Sequence, residues 1–344
     1  MKGITLGDLG RYEEALIPFD EALGINPKND FVLSWKGAAL GSLGRHEEAL
    51  EAFNKALEID PKDEFVLSKK GAALRFLGRH EEALEAFNKA LEINPKNEAA
   101  LFRKGLALRN LGRHEEALEA FNKALEINQE NEDVLVMKGI ALLQLERYSE
   151  ALETATRTKK LIKSESSEIT ATLILIEALK HLNMKSKASL EIEKIKDRIV
   201  SQQSHLILGF IENSFDFALE ELKAGNYGNS DKFMKMAFDV DDKIGKEQIR
   251  ALAVDFLKNA AESGSISVLK AAIDAIIKFK GDDYKELIRP ITKAIKIIET
   301  KDIQKYYGLQ VEEREIVADI VKTITRSDEL LPDEIKSKEG LKPS

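Results

Sequence analysis

His46-Glu47-Glu48-Ala49-Leu50 begins like the helix on which zinc proteases carry two histidines four residues apart, and the same five residues return at His80 to Leu84 and His114 to Leu118. Metal ligation on that pattern needs a second histidine on the same helical face. The fifth residue is leucine each time, so these histidines are read as structural rings. His181 and His205 have no spaced ligand partner either. Asp239, Asp241 and Asp242 invite a calcium-loop reading, but Lys243, Ile244 and Arg250 stand where the loop needs an oxygen donor, a glycine and a glutamate. Gly245-Lys246 lacks the upstream glycine and trailing hydroxyl of a phosphate loop. Gly264-Ser265-Ile266-Ser267 follows no strand pattern and makes no nucleophile elbow. With no cysteine in the chain, thiolate chemistry, disulfides and iron–sulfur ligation are excluded. The sequence therefore offers no catalytic, cofactor-binding or metal set, leaving open a carboxylate pair that only folding would bring together.

Composition directs attention to binding surfaces instead. The chain has 344 residues, 43% of them hydrophobic and 33% charged but only 6% aromatic, a balance typical of helix-rich chains. A net charge of −8 spread over both halves gives no cationic footprint for nucleic acid. The opening residues Met1 to Asp8 contain no apolar leader core, and the run Leu173 to Ile176 stops at Glu177, far short of a membrane span. A cytoplasmic protein with no membrane and no nucleic-acid partner is the expectation.

The elements that must position any surface follow from a repeat. Sixteen residues, GRHEEALEAFNKALEI, run from Gly44 to Ile59, Gly78 to Ile93 and Gly112 to Ile127, each copy 34 residues after the last. Looser copies begin at Gly10 and Glu146. In the second unit Leu33, Gly37 and Leu40, then His46, Ala49, Leu50, Phe53, Ala56 and Leu57, recur at three and four, which predicts two amphipathic helices. Asn29, Asp63, Asn97 and Asn131 sit at N-cap positions, while Pro27, Pro61 and Pro95 bar the preceding helix from continuing. Gly37 with Ala49, Gly71 with Ala83 and Gly105 with Ala117 are expected to let paired helices approach closely.

With Leu33, Gly37, His46, Ala49, Phe53, Ala56 and Pro61 in place, the period and pattern resemble the tetratricopeptide repeat family. The resemblance covers residues 1–163, with a partial first unit and further units starting near 30, 64, 98 and 132. It implies an all-α, right-handed superhelical solenoid of helix hairpins whose first helices line a concave groove. It implies also a protein or peptide partner and no cofactor. Some members hold a chaperone's C-terminal carboxylate with five polar residues; here the matching positions are Ser34, Ala38, Lys69, Ala99 and Arg103, and only the last is retained. Recruitment of the major chaperones by that route is not expected.

The second helices of the central units are identical, and the first helices are not. Between copies Leu33, Lys36, Gly37, Ala39, Leu40 and Leu43 stay fixed. Phe31, Ser34, Trp35, Ala38, Gly41 and Ser42 change to Phe65, Ser68, Lys69, Ala72, Arg75 and Phe76, then to Ala99, Phe102, Arg103, Leu106, Arg109 and Asn110. Steps of three and four place the variable set on one stripe, which the resemblance makes the groove floor. The candidate peptide-binding residues are Phe31, Trp35, Phe65, Lys69, Phe76, Phe102, Arg103, Leu106, Arg109, Val136 and Ile140. They suit a segment with apolar anchors and some acidic character. Buried aromatic anchors contribute about 2 kcal/mol each, enough in twos and threes for a micromolar complex.

Past Lys163 the strict period ends at a polar break, Ser164 to Glu168, and helical periodicity resumes. Worn second helices are read at Asn183 with Ala188, Ile192 and Ile195, at Tyr227 with Met234 and Ala237, and at Tyr284 with Leu287, Ile291 and Ala294. Residues 164–326 are expected to form an irregular all-helical domain broken near Gly225, Gly264, Gly281 and Gly308, and 327–344 a flexible tail. The first helix lacks a cap, so Leu6, Leu9, Ala15, Leu16 and Phe19 are read as an incompletely covered end that favours a homo-oligomer. The functional expectation is a non-enzymatic interaction scaffold. Its rivals are a self-assembling structural repeat protein and an enzyme or effector seated in the C-terminal half.

Overall fold

The computed structural model describes residues 2–161, 164–196, 198–199, 204–240, 246–280, 284–302, 304–307, 309 and 311–325. Regular structure among them is entirely helical. The chain divides into two compact units, 1–188 and 189–344. The first contains α1 (Lys2–Asp8), α2 (Tyr12–Ile25), α3 (Asp30–Ser42), α4 (His46–Ile59), α5 (Glu64–Phe76), α6 (His80–Ile93), α7 (Glu98–Asn110), α8 (His114–Ile127), α9 (Glu132–Gln144), α10 (Tyr148–Leu161) and α11 (Glu165–His181). α12 (Lys185–Ile195) runs across the division.

Each boundary in the first unit has a local cause. The Asn29, Asp63, Asn97 and Asn131 side chains accept from the amides of Val32, Val66, Ala100 and Val134 at 2.9–3.2 Å, satisfying one otherwise free N–H at each first helix. First helices end where Gly44, Gly78 and Gly112 turn left-handed at φ +76°, +75° and +72°. The next amide then bonds back to the carbonyl of Leu40, Leu74 or Leu108. In the following unit Glu146 takes the glycine position at φ 57°, a conformation that costs a residue with a Cβ about 1–2 kcal/mol. Second helices begin on Arg45, Arg79 and Arg113, each gripping the glutamate three residues on with two hydrogen bonds of 2.5–2.7 Å.

Hairpins stack because each second helix packs against both its own first helix and the next one, as α4 does with α3 and α5. Successive first helices also touch, α3 with α5, α5 with α7 and α7 with α9. Phe53, Phe87 and Phe121 are fully buried at the centre of each hairpin. The glycines serve these rings and not the paired alanines: a Cβ on Gly37 or Gly71 would lie 2.6 or 2.7 Å from the Phe53 or Phe87 ring. Ala15, Leu16 and Phe19 are buried, contrary to the open end expected from the sequence, because α1 packs on α2 and the Phe19 ring lies against Gly3. Leu9 alone of that group is strongly exposed. At the other end α11 packs on α9 and α10, its Ile174 methyls closing on Gly139.

The second unit holds α13 (Ser204–Lys223), α14 (Tyr227–Phe238), α15 (Lys246–Glu262), α16 (Ile266–Lys280), α17 (Lys285–Thr300), α18 (Gln304–Tyr307) and α19 (Val311–Thr325). α13 with α14 and α15 with α16 form hairpins that pack on one another, joined at Gly225 and Gly264 with φ +78° and +71°. Phe215 links them, its ring centroid 5.4 Å from Phe238 and 5.3 Å from Phe256. Ala188, Ile192, Met234, Ala237, Ile291 and Ala294 are buried, as their helical spacing requires. The breaks read near Gly281 and Gly308 and the tail at 327–344 lie outside the described residues.

Candidate functional site

The variable stripe of the first helices forms columns with the 34-residue period of the array. One column runs Trp35, Lys69, Arg103, Met137, and a second runs Gly41, Arg75, Arg109, Leu143. Trp35 is half-buried between Phe31 at 6.3 Å and Phe65 at 5.5 Å, centroid to centroid. Phe31 itself is 56% exposed, leaving an aromatic edge open to solvent at this end of the stripe. Further along, Phe102 lies 6.1 Å from Phe121 and is half-buried, as are Leu106 and Ile140.

Two of the sequence-derived residues are placed elsewhere. Val136 is only 5% exposed; the column it shares with Ser34, Ser68 and Phe102 faces the core, and only a ring as long as that of Phe102 reaches out from it. Phe76 is well exposed but stacks flat on His46 of the preceding hairpin, 4.8 Å away and 4° from parallel. Tyr148 and His181 repeat that arrangement at 4.1 Å and 2°. Both pairs join the start of a second helix to the end of the next first helix, so Phe76 belongs to the junction between hairpins.

Between the aromatic and aliphatic ends stand four cations. Burial, then the neighbouring Arg103, holds the Lys69 ammonium below the usual lysine range. Burial followed by Arg103 and Arg109 does the same to Arg75, and burial alone lowers Arg103 and Arg109. Lys69 lies 5.4 Å over the Phe65 ring and Arg75 lies 4.2 Å over Phe76. Arg109 directs Nη1 at the Met137 sulfur, 2.9 Å away, and Arg75 Nε is buried without a hydrogen-bond partner. Arg75 was missing from the residues selected by sequence, although its period mate Arg109 was among them; the shared column was the available signal.

Among the described residues no cluster of His, Asp or Glu could hold a metal ion. Asp241, Asp242 and Gly245 lie outside them. The Nδ1 atoms of His46, His80 and His114 are buried without partners, while His181 meets Glu177 at 3.1 Å. Within the second unit a cavity of about 650 Å³ opens among α15, α17 and α19, floored by Val254, Leu257, Ile291 and Ile320 and rimmed by charged side chains. No helix among the described residues is long and apolar enough to cross a membrane.

Family models of the tetratricopeptide repeat match residues 1–29, 32–96, 69–132 and 108–169. Among solved structures, the chain is similar to PilW, a widely conserved type IV pilus biogenesis factor, at 18% identity and TM-score 0.53, over 58% of this chain and 92% of that one. It is similar to a tetratricopeptide repeat protein from Parabacteroides merdae at 20% identity and TM-score 0.52, over 79% and 96% of the two chains. PilF of Pseudomonas aeruginosa is similar at 21% identity and TM-score 0.51, over 58% and 90%. No curated protein matches the chain.

Proposed function

Residues 1–169 are an array of tetratricopeptide repeats, and from that premise we propose that the protein is a non-enzymatic interaction scaffold whose first-helix groove receives a peptide segment of a partner protein. The observation that carries this reading is the contrast between copies. Second helices that keep an identical sequence alternate with first helices whose differences are concentrated on the stripe bearing Trp35, Lys69 and Arg103, as a surface shaped for contact would. Trp35, Phe65, Phe102, Leu106 and Ile140 offer half-buried apolar area along that surface, and such patches on a folded surface mark interaction sites.

Selection of short peptides from a random display library on the full chain tests the proposal. Sequences with aromatic or aliphatic anchors are expected to recur, and the emission of Trp35, the only tryptophan, should shift as they bind. A Trp35→Ala, Phe102→Ala variant should bind a labelled selected peptide at least about tenfold more weakly, since each anchor contributes about 2 kcal/mol. Equal affinity for the variant and the unmodified chain would overturn the groove assignment.

A further inference from the structure

α19 carries two apolar faces. Val317, Ala318 and Val321 close against α17, where they join Ala294 and Ile297 in one buried cluster. Ile316 and Ile320, one turn apart, line instead the cavity of about 650 Å³ that α19 shares with α15 and α17. Val254 and Leu257 of α15 and Ile291 of α17 complete its apolar wall, yet Ile316 remains 48% exposed. Cavities of about 300–1,000 Å³ with mostly apolar walls are those that receive ligands or chain segments.

The rim narrows the chemistry of the occupant. Arg250 and Lys258 of α15 and Lys322 of α19 stand on it, against Glu262 and Asp319. Cations outnumber carboxylates there, which favours an apolar body with negative flanks.

The chain carries such a body where it leaves the cavity. α19 ends at Thr325, two residues past Thr323 on the cavity wall. Beyond it, Leu330, Leu331 and Ile335 are three of the four large apolar residues that follow Thr325, and Asp328, Glu329, Asp333 and Glu334 flank them. Residues 328–335 contain no lysine or arginine. Pro332 disfavours helical backbone at Leu331, which keeps this segment from simply prolonging α19. From Thr325 to Leu330 the chain can reach about 17 Å, while packed helices lie about 8–10 Å apart, so the leucines can cross the mouth of the cavity. A tether this short supplies an effective concentration in the millimolar range, so an intrinsic affinity of about 1 mM suffices to fill the site.

We propose that residues 328–335 dock into this cavity of their own chain, Leu330 and Leu331 seated against Val254, Leu257, Ile316 and Ile320, with the flanking carboxylates toward Arg250, Lys258 and Lys322. The inference stands apart from the peptide-groove reading, since it concerns only the second unit.

Because the chain has no cysteine, introduced pairs report proximity without background. Two full-length chains carry Val254→Cys with either Leu331→Cys or Lys338→Cys and are treated, at low concentration, with a short bismaleimide cross-linker. Contact probability in an undocked tail falls roughly as the −3/2 power of tether length, so the Leu331 pair would close only about threefold faster than the Lys338 pair. Docking should raise that ratio to about thirtyfold or more, and adding Leu330→Ser with Ile335→Ser should return it to about threefold. Both chains share the same helical body, so the ratio does not depend on how Val254→Cys affects stability. A ratio near threefold before those serines are added overturns the proposal, and stabilisation of the unmodified chain by dodecanoate would then identify a small amphiphile as the occupant. A large ratio that survives the two serines overturns the seating of the apolar anchors. Cross-links that join two chains instead of closing within one overturn it in favour of a second copy.

Discussion

Gly37, Gly71 and Gly105 occupy one repeat position, and each lies under the phenylalanine at the centre of its own hairpin. At Gly71 an added methyl would overlap a ring that has no exposed side to move toward. Gly71→Ala should therefore lower unfolding free energy by about 1–3 kcal/mol. Gly24→Ala, on a helical position with nothing within 4 Å, should be neutral or stabilise by about 0.5–1 kcal/mol. Urea unfolding of the two variants side by side checks the contrast, and equal effects would remove the packing explanation. The same residues show what sequence reading can resolve. Periodicity alone identified Gly37 as a point of close approach but could not say that the ring of Phe53, sixteen residues on, was its neighbour. Val136 was misjudged for a related reason: whether its column reaches the surface depends on side-chain length, which spacing does not encode. Phe76 lay on the variable stripe by period, yet a ring in the preceding hairpin captured it.

At the scale of helices, the second helices start on a repeated arginine–glutamate grip. Hydrogen bonds from Arg11, Arg45, Arg79, Arg113 and Arg147 hold Glu14, Glu48, Glu82, Glu116 and Glu150 below the ordinary carboxylate value of 4.5. A carboxylate depressed in the folded state adds stability above its unfolded pKa and loses it as pH falls through the folded one. The melting temperature should thus hold from neutral pH to near 5 and fall below 4.5, and replacing all five glutamates with glutamine should flatten that acid limb. Thermal melts followed by circular dichroism at stepped pH make the comparison, and parallel curves would dismiss the grip as a source of the acid sensitivity. These helices were legible because cap, turn and apolar period repeat together. In the second unit buried positions such as Ile192, Met234 and Ala294 followed from helical spacing, but pairing did not. Contacts such as that of α13 with α16 join residues with no fixed separation, so no period announces them.

Among the described residues of the first unit, the main contacts run within a hairpin or between adjacent hairpins, and each hairpin is completed by the next. α11 supplies that completion for α9 and α10, burying Ile169, Ile174 and Ile176. A chain ending at residue 163 should consequently melt lower and less cooperatively than one ending at 188. Calorimetry on the two would show it, and indistinguishable melts would mean that α11 adds nothing to the array. The identity of α4, α6 and α8 has a mechanical consequence as well. Under tension applied to its ends, a row of hairpins joined only to their neighbours behaves as springs in series. Identical second helices make the central springs nearly equal in strength, so they compete to yield first. Each that gives way releases 34 residues of chain, about 110–120 Å when drawn straight, and the groove lengthens by loss of whole units while the remaining units keep their shape.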